Sequence, residues 1–191
     1  MAYLYLCGMS ILTDVPADFV IIENKKIPVY TDFRNWIKID GILADKNIAV
    51  EKKTAEILHL CFKRLPGNIG QAFRAAAAFY NPFEGEKGHL DSASRRAYSF
   101  EYDAPYIYAA FRSEYGIDLQ TEYMHWHTFL ALMKSLSAES VFSKIVSLRS
   151  MDISGLSGKQ KSRYIRLKHI YALPGNVMGE SEIARGFEGL F

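Results

Sequence analysis

The chain has 191 residues, 49% of them hydrophobic and 23% charged, with 23 basic against 21 acidic side chains. That balance excludes intrinsic disorder, which needs low hydrophobicity and high net charge, and a formal net charge of +2 falls short of a surface dedicated to nucleic acid. No apolar run reaches the roughly 18 residues that a membrane span needs, and the length suits one folded unit with a real core.

The first residues, Met1 to Gly8, have the apolar look of a signal segment but lack its basic flank, and Gly8 interrupts them. We read residues 1–8 as an extension and Met9 as the start of the working domain, in a cytoplasmic protein. Cys7 and Cys61 are too few for a disulfide framework and have no metal-ligand spacing. Two β-prone runs, Phe19 to Ile22 and Ile27 to Tyr30, flank the polar turn Glu23-Asn24-Lys25-Lys26 and predict a hairpin over about 18–30. Pro28 confines its second strand to an edge.

Thr31-Asp32 can cap a helix carrying Phe33, Trp36 and Ile37, with a break expected at Gly41 before Ile42 and Leu43. Val50, Thr54, Ile57, Leu58, Cys61 and Leu65 recur at helical spacing and predict a second helix, ended by Pro66-Gly67. A third spans about 69–80, where Ala75 to Ala78 offer a close approach to another helix, and Asn81-Pro82 stops it. Residues 83–97 read as an exposed loop. The segment Tyr98-Ser99-Phe100-Glu101-Tyr102 reads as a core or interface strand rather than a base-stacking platform, because no basic residues interleave its aromatics.

Asp103 then caps a helix with Pro105 in its first turn, a stripe of Tyr106, Ile107, Ala110 and Phe111, and Gly116 as its left-handed end. A longer helix is predicted over 121–136, with Tyr123, Trp126, Phe129, Leu130, Leu132, Met133 and Leu136 spread round most of its circumference. Such a helix is central and buried. Two more follow, from Ser140 to about Met151 and from about Lys159 to Leu173, separated by Ser154-Gly155-Leu156-Ser157-Gly158. The expected fold is therefore mainly α, a helical domain over 9–174 with a small N-terminal β-hairpin (α+β by strict count). Residues 175–191 form a loosely attached C-terminal tail.

Chemistry-bearing motifs are scarce. There is no phosphate-binding glycine loop, nucleophile elbow or His-Glu-x-x-His. His125 and His127, two apart on a helix, would point about 200° from each other and could not share a metal. A metal-dependent enzyme would have to join one of them to His89 and Asp91 in the 83–97 loop. Nothing assigns a catalytic residue, a cofactor or a metal.

The charge pattern is more informative. Between Ile153 and Gly179 stand Lys159, Lys161, Arg163, Arg166 and Lys168 with no acidic residue. At about 100° per residue, Tyr164, Leu167 and Tyr171 share a narrow stripe, with Lys159, Arg163 and Arg166 on one flank and Lys161 and Lys168 beyond the other. One reading is a surface helix that buries its tyrosine-leucine stripe while the cations reach into water. The other is a docking helix for an acidic or helical partner, using Lys159, Arg163, Tyr164, Arg166, Leu167 and Lys168.

Several segments resemble the bacteriophage gene product fifteen family of long-tailed phages and prophages. They are Tyr30-Thr31-Asp32-Phe33-Arg34-Asn35-Trp36-Ile37, Tyr98-Ser99-Phe100-Glu101-Tyr102-Asp103 with Ile107-Tyr108-Ala109-Ala110-Phe111, Tyr115-Gly116-Ile117-Asp118-Leu119, and His125-Trp126 leading into Phe129-Leu130-Ala131-Leu132. Their order and spacing match the family from about Met9 to Leu173. The resemblance implies a non-enzymatic tail assembly factor, similar to the chaperones that coat a tape measure protein, acting in the host cytoplasm on the tape measure or nascent tail components. A structural virion component, such as a connector or tail-completion protein, is the alternative, and a metal-dependent enzyme comes third.

Overall fold

A computed structural model describes residues 12–82 and 97–173. The expectations placed on residues 1–8, on the loop that includes His89 and Asp91, and on the tail after Pro174 lie outside these residues. Among the described residues the fold is seven helices preceded by one antiparallel hairpin, the mainly α architecture expected from the sequence.

Strands β1 (Phe19–Ile22) and β2 (Lys25–Pro28) pair with Val20 opposite Ile27 and Phe19 opposite Pro28. The turn is tighter than the four polar residues suggested: Glu23 and Asn24 alone form it, at φ 51° and 58°. Two successive left-handed residues match the right-handed twist of the flanking strands. Asn tolerates that conformation, whereas Glu23 is held there by the neighbouring helix. Its amide donates to Gln71 Oε1 (3.3 Å) and its carboxylate accepts from Asn68 Nδ2 (3.1 Å). Alternation sends Val20 and Ile22 into the core.

Helix α1 (Phe33–Ala44) starts at Asp32, whose carboxylate accepts from the Arg34 amide at 2.9 Å. It buries Phe33, Trp36, Ile39, Asp40 and Leu43 and runs through Gly41 without the expected break. Gly41 lies on the exposed face, where the lost helix propensity costs only about 1 kcal/mol. Helix α2 (Val50–Cys61) ends four residues before Leu65. Phe62 turns extended to bridge Val29, the Tyr30 amide donates to the Cys61 carbonyl, and the Lys63 amide donates to Pro28. Burying Phe62 beside the hairpin outweighs one more helical turn. Val50 and Leu65, read as core positions, are exposed. Helix α3 (Ile69–Tyr80) has the predicted bounds, with Asn68 accepting from the Gln71 amide.

The aromatic segment before the next helix is a turn, not a strand. The Ser99 hydroxyl accepts from the amides of Glu101 and Tyr102, and the Asp103 carboxylate accepts from the Ser99 amide at 2.9 Å. Only Phe100 of its aromatics is buried. Helix α4 (Ala104–Tyr115) ends at Gly116, φ 71°, as its sequence predicts. Asp103 occupies the N-cap position but its side chain makes no cap bond, being committed to Ser99 and to Arg149.

The largest departure follows Gly116. Residues 121–125 are not helical, and α5 spans only Trp126–Lys134. Asp118 organises a turn by accepting from the Gln120 amide through its side chain and from Thr121 and Glu122 through its carbonyl. The following residues lie extended against Thr31-Asp32: the Phe33 amide donates to Met124 and the Trp126 amide to Thr31, at 3.1 and 2.7 Å. Arg34 adds hydrogen bonds to the carbonyls of Leu119 and Glu122. Tyr123, expected on a buried helix, is 66% exposed. Helices α6 (Val141–Ser150), capped by the Ser140 hydroxyl, and α7 (Gly158–Ile170) are the last among the described residues.

The core is aromatic and centres where α1, α3 and α5 meet. Trp36 stacks on Phe79 at 4.8 Å and lies 6.2 Å from Trp126, while Phe129 stacks between Phe33 (4.6 Å) and Phe111 (5.2 Å). Both indoles satisfy their N–H groups, Trp36 on the Tyr30 carbonyl and Trp126 on that of Tyr80, each at 2.8 Å. Burial thus leaves neither polar edge unpaired.

Candidate functional site

Two places invite a functional reading. The first is the histidine pair. Because α5 begins at Trp126, His125 is its N-cap rather than a helical residue, and the two rings are not set on opposite sides of one helix but meet edge to face, 4.8 Å apart. Their hydrogen bonds explain the arrangement. His125 Nδ1 accepts from the His127 amide at 3.0 Å, leaving its Nε2–H to donate to the Ala17 carbonyl, and His127 Nε2 donates to the Phe79 carbonyl at 2.9 Å. Burial lowers the pKa of both, that of His127 to about 4. Each ring is thereby a neutral structural link. Among the described residues no group of three His, Cys, Asp or Glu side chains could hold a metal. Cys61 is buried, and burial pushes its thiol well above the usual range. It is an inert core residue.

The second place is α7. No residue of this helix is buried. Lys161, Tyr164, Leu167, Lys168 and Tyr171 are half-buried, while Lys159, Arg163 and Arg166 are exposed. Lys168 is already engaged: its ammonium donates to the carbonyls of Arg149 (3.0 Å) and Met151 at the end of α6. A cation on those terminal carbonyls complements the helix dipole. Arg149 in turn donates to the Tyr171 carbonyl (2.6 Å), to Ala97 (2.9 Å) and bidentately to Asp103. The six residues singled out by sequence therefore divide. Lys159, Arg163 and Arg166 face water, Tyr164 and Leu167 lie on the packed side, and Lys168 fastens α7 to α6.

Sequence reasoning passed over Ile165 and Ile170, 49% and 69% exposed. Ile170 falls between the angular positions of Arg163 and Arg166, inside the helix predicted to reach Leu173, and is the last residue of α7. Between α5 and α6, an open groove of about 400 Å³ is walled by Tyr80, Trp126, Leu130, Met133, Phe142 and Val146.

Fold and surface together define a small helical protein with an aromatic core and a cationic helix applied to its side. A protein-family model described as Bacteriophage Gp15 protein matches residues 12–173, and the chain belongs to that family. Its general role is accordingly in phage tail morphogenesis. No curated protein and no solved structure matches the chain. No helix among the described residues is long and apolar enough to cross a membrane.

Proposed function

We propose that this protein is a non-enzymatic tail assembly factor, chaperone-like in action, that binds the tape measure protein or nascent tail components in the cytoplasm of the host cell. The observation that carries the reading is the family match across residues 12–173. The polar links made by both histidines and the exposed cations of α7 support a role in binding rather than catalysis. The working unit in this proposal is residues 9–174, with 1–8 as an extension and 175–191 as a tail.

The test is co-expression with the tape measure protein encoded by the same phage or prophage. A soluble complex is expected, with aggregation of the tape measure when this chain is omitted. A tape measure that stays soluble alone and forms no complex would sink the proposal. Mass spectrometry of purified particles addresses retention: an assembly factor is absent from mature virions, whereas a connector or completion protein is present at fixed stoichiometry.

A further inference from the structure

We infer that the outward stripe of α7 is a docking site for an acidic α-helical segment of a partner protein. This deepens the assembly reading and rests on it. Lys159, Arg163, Arg166 and Ile170 lie within about 60° of one another round the helix and extend over about 16 Å of its length. Among the described residues none of the three cations takes part in an ion pair. The stripe beside these cations is taken up by the half-buried Leu167 and Tyr164, and the far side of α7 by the Lys168 bonds to α6.

The cations are poorly placed for the helix that carries them. Lys159 and Arg163 are four residues apart and Arg163 and Arg166 three apart, so like charges are surface neighbours. The first turn, at the positive end of the helix dipole, contains no acidic residue, and Ser157 provides no side-chain cap. Carboxylates brought by a partner would relieve both defects at once. Ile170, 69% exposed at the far end of the same stripe, adds an apolar contact. A straight, narrow row at this spacing matches carboxylates repeating three and four residues apart on a second helix. Nucleic acid would call for a broader positive field than a chain of net charge +2 presents, and a lipid surface for more than one apolar side chain on the stripe.

The experiment uses the full chain and a synthetic helical peptide of about 20 residues, built from Glu, Ala and Leu with glutamates on one face. Fluorescence anisotropy should show binding that weakens by roughly tenfold or more in Arg163→Glu/Arg166→Glu and weakens steeply with added salt. Ile170→Ser should weaken it by a smaller factor, and the thermal midpoint of each variant should match the parent's. If the charge reversal disturbs folding, Arg163→Gln/Arg166→Gln takes its place in the same assay. Equal binding by parent and variants overturns the inference, and so does tighter binding of duplex DNA or phosphatidylserine vesicles through these residues. Phage production separates this inference from the one beneath it. If the double variant supports normal tail yield while loss of the whole chain does not, the α7 site is wrong and the assembly role stands. Normal yield without the chain removes the assembly role itself.

Discussion

His127 shows how one buried side chain ties stability to pH. Its pKa falls from 6.5 to about 4 because burial disfavours the imidazolium, an effect larger than the opposing hydrogen bond to Phe79. Below pH 6.5 the unfolded chain takes up a proton that the folded chain refuses. The associated stability is therefore complete above pH 6.5 and lost as pH falls toward 4, a difference of order 3 kcal/mol. Urea titrations between these limits should show the decline, and His127→Gln should flatten it; an unchanged slope in the variant would assign the acid sensitivity elsewhere. The Asp103 carboxylate, 1% exposed, depends on Arg149 in a different way. Removing one partner strands a buried charge. Arg149→Ala is expected to cost about 3–5 kcal/mol, and Asp103→Ala added to it should restore part of that loss. Additive losses in the double-mutant cycle would show that the two groups act independently. Trp126→Ala opens a cavity among Trp36, Tyr80, Phe100 and Phe129 and should lower stability by roughly 3–5 kcal/mol in chemical denaturation. An unperturbed midpoint would contradict the position of the core.

At the scale of the element, Gly41 offers a gain. It sits mid-helix on the exposed face of α1, and a methyl group there would meet nothing within 4 Å. Gly41→Ala should raise stability by about 0.5–1 kcal/mol, through helix propensity and a less disordered unfolded state; a loss would imply a contact that the helix face does not show. The same position shows why helix ends were harder to read than helices. Local signals located the hairpin, the end of α3 and the left-handed stop at Gly116, because Asn81 and Gly116 act through their own backbone neighbourhood. The ends of α2 and α5 are set from a distance. Phe62 leaves its helix to meet Val29, and Met124 and Trp126 are held by Thr31 and Phe33, residues about 90 positions earlier in the chain. Periodicity cannot register such a partner. Nor could it tell that Lys168 would spend its charge on the end of α6 while Lys159, Arg163 and Arg166 stayed in water, since all lie on one basic helix and differ only in what stands opposite.

Across the whole molecule, cohesion is unevenly distributed. Helices α1, α3 and α5 contribute Trp36, Phe73, Phe79, Trp126 and Phe129, each at most 1% exposed, whereas α7 contributes no buried residue. Apolar burial is worth about 25 cal/mol per Å² removed from water, so α7 is held chiefly by a half-buried stripe and by the bonds of Lys168 and Arg149. Opening α7 should then require far less free energy than global unfolding. Native-state hydrogen exchange checks this directly. Amides of 162–170 should exchange through local openings largely insensitive to denaturant, while those of α1 and α5 exchange only with the whole fold. Arg149→Ala should accelerate α7 in particular, because the Tyr171 carbonyl loses its donor together with Asp103. Protection in α7 equal to that in α1 would show that the helix belongs to the core's cooperative unit. A loosely held α7, by contrast, can adjust its outward cations to a partner without disturbing the aromatic core behind them.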